Sequence, residues 1–280
     1  MSRQIIAYYR ISDRGFAKVK PQYINNKNCL NNFVKNFEYD ALYIIADNVK
    51  EETFQILQER YHDKYTELIR TKLDNRRSFI FAFDHAIKNF NDDDIIYFVE
   101  NDYVHCQGAS QVLAEGLEIA DYVTLYDHPD KYLPEYKDSW PTSCYKTKNS
   151  HWVLVPSTPM TFGTTVRSLK QDSEMFDNII RNNNDTHTNS KAFFNTIAKY
   201  NNKKLATPIP SMATHGETEW LAPFINWMKI IVTMITLIFA MQKASSCFPH
   251  RSTLPQFYRQ QILRFQALDT GEYSHFFRYS

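Results

Sequence analysis

Asp94-Ile95-Ile96-Tyr97-Phe98-Val99-Glu100-Asn101-Asp102 runs through five apolar residues into two carboxylates two positions apart. A continuous apolar run of this length, bounded by polar residues, reads as a strand buried on both faces, the pattern of a parallel sheet interior. The rhythm recurs upstream: Ile5 to Tyr9 and Ala41 to Ala46 are similar runs, the second ending at Asp47-Asn48, and Glu67 to Arg70 is a weaker one. Between them the spacing turns helical, with Cys29, Leu30, Phe33, Val34 and Phe37, then Phe54, Leu57 and Tyr61. Phe79, Phe83, Ala86, Ile87 and Phe90 form a third stripe, with Asp74 or Asn75 placed to cap its helix. A helix over 109–120 and a strand from Tyr122 to Tyr126 follow. This alternation predicts an α/β domain built on a Rossmann-type, mostly parallel sheet with helices on both faces. Ligands bind such sheets at the carboxyl ends of the strands. Three strands end there in polar residues: Asp47, Asp102 and Asp127-His128.

Past residue 130 the pattern loosens. Pro129, Pro134, Pro141, Pro156 and Pro159 punctuate a loop-rich stretch that contains a hairpin, Ser143 to Lys146 against Trp152 to Val155. Val166 to Ile180 reads as helix, Arg181 to Asp185 as a polar loop, and Lys191 to Tyr200 as helix again. Residues 221–280 form a C-terminal extension that opens on an apolar helix. Its charge-free core, Ile230 to Met241, is 12 residues long, short of the roughly 20 a span requires. An interfacial helix, a buried core helix and a true span stay open, and membrane association through 221–241 is an expectation.

Composition removes several classes. Six glycines occur, the closest pair eight residues apart, so neither G-x-G-x-x-G nor G-x-x-x-x-G-K-[ST] exists in the chain. A formal net charge of +1 gives no electrostatic footprint for nucleic acid. The four cysteines lie far apart, without a C-x-x-C pair, which fits reduced thiols and a cytoplasmic protein, peripheral at a membrane if 221–241 touches one. The apolar run Ile5 to Tyr9 is too short for a signal-peptide core.

The chemistry gathers at Glu100-Asn101-Asp102. Two carboxylates at a strand end can lean toward one hard cation, which Mg²⁺ or Mn²⁺ sites complete with substrate phosphate oxygens. The triplet also occupies the position at which GT-A nucleotide-sugar-dependent glycosyltransferases carry a D-x-D motif, here in the variant form E-N-D. Over residues 4 to 220 the chain resembles that family in the order of its motifs. The resemblance implies a glycosyltransferase domain over 1–220, with a nucleotide-sugar-binding half, 1–130, and an acceptor-side half, 131–220. It implies a nucleotide-sugar donor, a glycan or other hydroxyl acceptor, and a Mn²⁺ or Mg²⁺ cofactor on Asp102 and His215, the latter from Ala213-Thr214-His215-Gly216-Glu217. Asp47 would contact the base, and Arg76 and Ser78 of Asn75-Arg76-Arg77-Ser78 the diphosphate-sugar. Glu100 would reach the metal, the ribose or a bound water. Lys131 would offset phosphate charge, with Tyr132 or Trp140 stacking on a sugar face. The general base expected between the hairpin and the following helix is Asp185, with Asp172 or Glu174 behind it. A solvated helix residue is the competing reading of Asp172, and a structural histidine that of His215. A sugar-nucleotide pyrophosphorylase would need a glycine-rich loop where Ile11-Ser12-Asp13-Arg14-Gly15 has one glycine. A non-catalytic glycan- or protein-binding relative is the remaining alternative.

Overall fold

The first hundred residues alternate as their apolar rhythm requires. The computed structural model describes residues 3–14, 20–134, 143–182 and 190–231. Trp140, Asp185 and residues 232–241 of the apolar segment lie outside them. The elements begin β1 (Ile5–Ile11), α1 (Asn26–Asn36), β2 (Ala41–Asp47), α2 (Glu51–Tyr61), β3 (Glu67–Thr71), α3 (Asn75–Asn89) and β4 (Ile95–Glu100). Then come β5 (Tyr103–His105), α4 (Ala109–Gly116), β6 (Tyr122–Val123), β7 (Cys144–Lys146), β8 (His151–Leu154) and β9 (Phe162–Thr165). The helices α5 (Val166–Gln171) and α6 (Ser173–Phe176), a π-helical turn (Asp177–Arg181), α7 (Ser190–Asn201), β10 (Leu205–Ile209) and β11 (Ala213–His215) complete the order. These elements belong to one compact unit that ends at Ile231.

One sheet carries nine strands in the order β3-β2-β1-β4-β9-β6-β10-β8-β7. From β3 to β4 it is wholly parallel, as the buried apolar runs require. Beyond β4 antiparallel pairs join the parallel ones, so the sheet is mixed and largely parallel, which refines the expectation of a mostly parallel sheet. Strand β9 inserts antiparallel between β4 and β6, and β8 and β7 add antiparallel at the far edge. Of the antiparallel pairs, β7 and β8 form a hairpin closed by a short turn, whereas β9 reaches β4 and β6, and β10 reaches β8, across long stretches of chain. Strands β5 and β11 pair separately as a two-stranded antiparallel ribbon.

Helices cover both faces, and the two-residue period of β4 sorts them. Phe98 packs on Phe79 of α3 at 4.9 Å between ring centroids and on Phe162 at 5.4 Å. Its neighbour Tyr97 points the other way, onto Phe37 beside α1 at 4.6 Å. On that second face Gly163 sits opposite Tyr97, and a Cβ there would lie 2.5 Å from Leu113 of α4. Glycine lets α4 settle directly on the sheet. Asp74 caps α3 by accepting the backbone N–H of Arg77 at 2.7 Å. Trp227 and Ile231 are buried, whereas Phe224 and Met228 are exposed. No helix among the described residues is long and apolar enough to cross a membrane.

His105, on β5, is fully buried among Phe33, Phe37 and Tyr97. The Tyr97 hydroxyl, which burial keeps protonated, shares a hydrogen bond with His105 Nε2 at 2.9 Å. Burial pushes the imidazole down to about 3. The unfolded histidine takes up a proton near pH 6.5 and the folded one does not, so folding stability falls as pH drops below about 6.5. The slope from this group approaches about 1.4 kcal/mol per pH unit. Urea unfolding at pH 7, 6 and 5 is expected to show a shallower acid loss for His105→Asn than for the wild type. Parallel slopes would contradict a neutral, buried imidazole.

Candidate active site

Parallel β1, β2 and β4 end at one edge of the sheet, and the residues just past their ends line a cleft of about 570 Å³. The loop after β1 contributes Ser12, Arg14 and Lys20; the end of β2 gives Asp47 and Asn48; β4 runs out into Glu100, Asn101 and Asp102. The start of α3 supplies Asn75 and Ser78, the end of β11 brings His215, and the segment after it Glu217 and Trp220.

At the centre, Asp102 Oδ2 takes Lys20 Nζ at 2.7 Å and His215 Nε2 at 3.1 Å. The antiparallel pairing of β11 with β5, which sets His215 opposite Tyr103, delivers the imidazole to the carboxylate. The backbone N–H of Glu217 points at His215 Nδ1 from 3.4 Å. That arrangement leaves the ring proton on Nε2, donated to Asp102. Gly216 permits the approach: a Cβ there would lie 2.5 Å from Ile24 and 2.8 Å from the Asp102 carbonyl oxygen. Burial pushes the Asp102 carboxyl up, but His215 and Lys20 outweigh it and hold it well below the usual carboxylate range.

A second ion pair stands beside the first. Arg10, the penultimate residue of β1, bonds Glu100 Oε1 at 3.1 Å through Nη2. Its Nη1 donates to the carbonyl and side-chain oxygens of Asn75 at 2.8 and 2.7 Å, and to Ser78 Oγ at 3.3 Å. Asp47 accepts from Thr71 Oγ1 at 2.9 Å and from the Leu73 N–H at 2.6 Å, which fixes its carboxylate at the mouth of β2. Tyr126, His128 and Trp220 form an aromatic wall of the cleft, His128 and Trp220 lying 5.1 Å apart.

No family model and no curated protein matches this chain. Among solved structures it is similar to S. aureus TarS 1–349, at 13% identity and a TM-score of 0.45, over 83% of this chain and 65% of that one. It is also similar to the apo form of the glycosyltransferase GlyE of Streptococcus pneumoniae TIGR4, at 9% identity and a TM-score of 0.40, over 73% of this chain and 45% of that one. A second S. aureus TarS structure aligns at 12% identity and a TM-score of 0.44, over 93% of this chain and 42% of that one. The chain thus spans less than two thirds of the length of each.

Of the residues expected at the site, the cleft brings together Asp47, Ser78, Glu100, Asp102 and His215. Others go elsewhere. Arg76 donates to the carbonyls of Ile180 and Arg181 at 3.2 and 2.8 Å. Each helical residue rotates by about 100°, so Asn75 and Ser78 share the cleft side while Arg76 turns from it. Lys131 is held by Asp127 at 3.2 Å, and Tyr132 bonds the same carboxylate; neither lines the cleft. Asp172 is buried at the junction of α5 and α6, where it accepts the Tyr122 hydroxyl, and Glu174 is exposed on α6. Neither of these carboxylates lines the cleft. Lys20, Arg10 and Trp220 had no motif to announce them, since each is defined by what it meets across the fold; Asn75 and Glu217 lay inside quoted stretches without a role of their own.

The donor chemistry does not fit a divalent ion as arranged. Of the two carboxylates in the triplet, Glu100 is paired with Arg10 and Asp102 with Lys20. His215 presents a proton, not a lone pair, from Nε2. Among the described residues no three His, Cys, Asp or Glu side chains converge on one point. No step is therefore assigned to Mn²⁺ or Mg²⁺.

Proposed function

We propose that this chain binds a nucleoside-diphosphate sugar in the cleft and transfers the sugar to a hydroxyl acceptor, a glycan or another alcohol. The observation that carries the reading is the convergence of Asp47, Ser78 and the Lys20–Asp102–His215 cluster at the carboxyl edge of parallel β1, β2 and β4. Crevices outside the carboxyl ends of such strands are where nucleotides bind open α/β sheets. The order of motifs that resembles GT-A enzymes narrows the nucleotide to an activated sugar.

Within that reading each group has a task. Asp47, held by Thr71, Leu73 and Asn48, presents its carboxylate to the polar edge of the nucleoside. The Lys20 ammonium and Arg10 guanidinium offset the diphosphate charge. Trp220, with Tyr126 and His128, offers an apolar face for a sugar ring. The acceptor oxygen bonds to the anomeric carbon as the bond from that carbon to the phosphate oxygen breaks, releasing the nucleoside diphosphate. Asp185, the base expected first, lies outside the described residues, and Asp172, expected behind it, is away from the cleft; Glu217, a cleft carboxylate beside Trp220, is placed to receive the hydroxyl proton.

A panel of nucleotide sugars measured by thermal shift tests the reading. A ligand at a hundredfold its Kd adds about 2.7 kcal/mol of stability, so one nucleotide class is expected to raise the melting temperature by several degrees. Slow hydrolysis of that donor without acceptor should accompany binding. Binding without any turnover would indicate a non-catalytic module, and no shift with any member would end the nucleotide reading.

A further inference from the structure

Each carboxylate of the Glu100-Asn101-Asp102 triplet already has a cation supplied by the chain. Glu100 has Arg10 at 3.1 Å and Asp102 has Lys20 at 2.7 Å, both at the floor of the cleft. A divalent ion on Asp102 would compete with an ammonium for the same oxygen and meet it as a like charge. One on Glu100 would have to break the pair with a nearly buried guanidinium, which is 5% exposed. His215 reinforces the arrangement by donating to the oxygen that holds Lys20. Lys20 therefore sits on a carboxylate fixed from two sides, at the point where the strand ends converge.

We propose that Lys20 is the internal counter-cation for a diphosphate in this cleft, and that the cleft binds a nucleoside diphosphate without a divalent metal. The inference rests on the nucleotide reading above and names the group that replaces the expected metal. An ammonium has three donors, and Asp102 takes one. The others are available to phosphate oxygens, for which lysine serves as a compact point charge. Asp102 acts here as the positioning residue: it holds the ammonium in place and does not itself touch the diphosphate.

The test is titration calorimetry of the full chain with UDP, GDP, CDP and ADP, first in EDTA and then in excess MnCl₂. The diphosphate that binds is expected to do so in EDTA, with a Kd within about threefold of the value in Mn²⁺. Lys20→Met is expected to weaken binding in EDTA by about thirtyfold, the size of one charged hydrogen bond. Lys20→Arg keeps the charge and is expected to retain most of the affinity. Lys20 is partly exposed on a loop, and melting curves of both variants check that they fold. Wild-type binding that disappears in EDTA and returns with Mn²⁺ would overturn the proposal, as would a Lys20→Met protein that binds like wild type in EDTA. Absence of binding by all four nucleotides in both media would instead strike the nucleotide reading, and the role of Lys20 with it.

Discussion

Arg10→Met is expected to lower the free energy of unfolding by about 3 kcal/mol, because it strands a carboxylate that folding has largely removed from water. Arg10 is 5% exposed and Glu100 24%. Breaking a fully buried pair costs about 3–5 kcal/mol, and the residual exposure of Glu100 places this one at the lower end. The methionine also leaves the Asn75 side-chain oxygen and Ser78 hydroxyl without their guanidinium donor. Glu100→Gln should cost less, since an amide oxygen still accepts from Nη2 and no charge is stranded. The double variant Arg10→Met with Glu100→Gln should recover about 1–2 kcal/mol of the sum, as residues in one ion-pair network do not add. Urea denaturation of the four proteins measures the cycle. Additive losses would mean that Arg10 and Glu100 act independently, and Glu100 would again be free for a ribose or a metal.

The same pair shows where a linear reading loses its hold. Ile5 to Tyr9, Ala41 to Ala46 and Ile95 to Val99 are legible because a strand buried on both faces must be apolar at every position. Those runs gave the parallel half of the sheet and its binding edge. Strand β9 is different. Phe162-Gly163-Thr164-Thr165 holds one large apolar side chain, and the strand exists because β4 and β6 flank it. In β10, Pro208 argues against a strand on local grounds, yet it pairs across from Trp152. Partners made these strands, and the partners lie far away in the chain.

The site divides along the same line. Asp47, Ser78, Glu100 and Asp102 sit at ends of elements whose existence the apolar rhythm announces, so topology alone carries them to one edge. The ion pairs there are another matter. Lys20 lies in a stretch of sequence without hydrophobic periodicity, and its meeting with Asp102 spans 82 positions. A carboxylate read in sequence looks free, because its counter-cation is a property of the fold. That is why E-N-D suggested a metal and the structure offers two basic side chains. Arg76 failed for a simpler reason: at a helix start, one residue of offset is enough to turn a side chain off the cleft.

Asp172→Ala is expected to cost about 3 kcal/mol in stability while leaving ligand binding in the cleft unchanged. Asp172 is 1% exposed and sits where α5 gives way to α6. It accepts the Tyr122 hydroxyl at 2.8 Å and the Asn201 side-chain amide at 2.5 Å, tying β6 and the end of α7 to this junction. Alanine removes two hydrogen bonds to a charged acceptor and leaves a buried tyrosine hydroxyl unpaired, a loss of about 1–3 kcal/mol for each such group. For a unit of this size about 3 kcal/mol corresponds to a fall of roughly 6–12 °C in melting temperature. Asp172→Asn should lose less, because its amide oxygen can still accept from Tyr122. Adding Tyr122→Phe to Asp172→Ala should cost less than the sum, since the orphaned hydroxyl is gone. Thermal melts with calorimetry of the bound nucleotide separate this structural role from proton transfer. A variant as stable as wild type that binds donor but no longer transfers sugar would return Asp172 to the chemistry. A destabilised variant with intact binding keeps it as the clamp that ties β6 to this junction, and leaves Glu217, among the cleft carboxylates the one beside Trp220, to receive the proton.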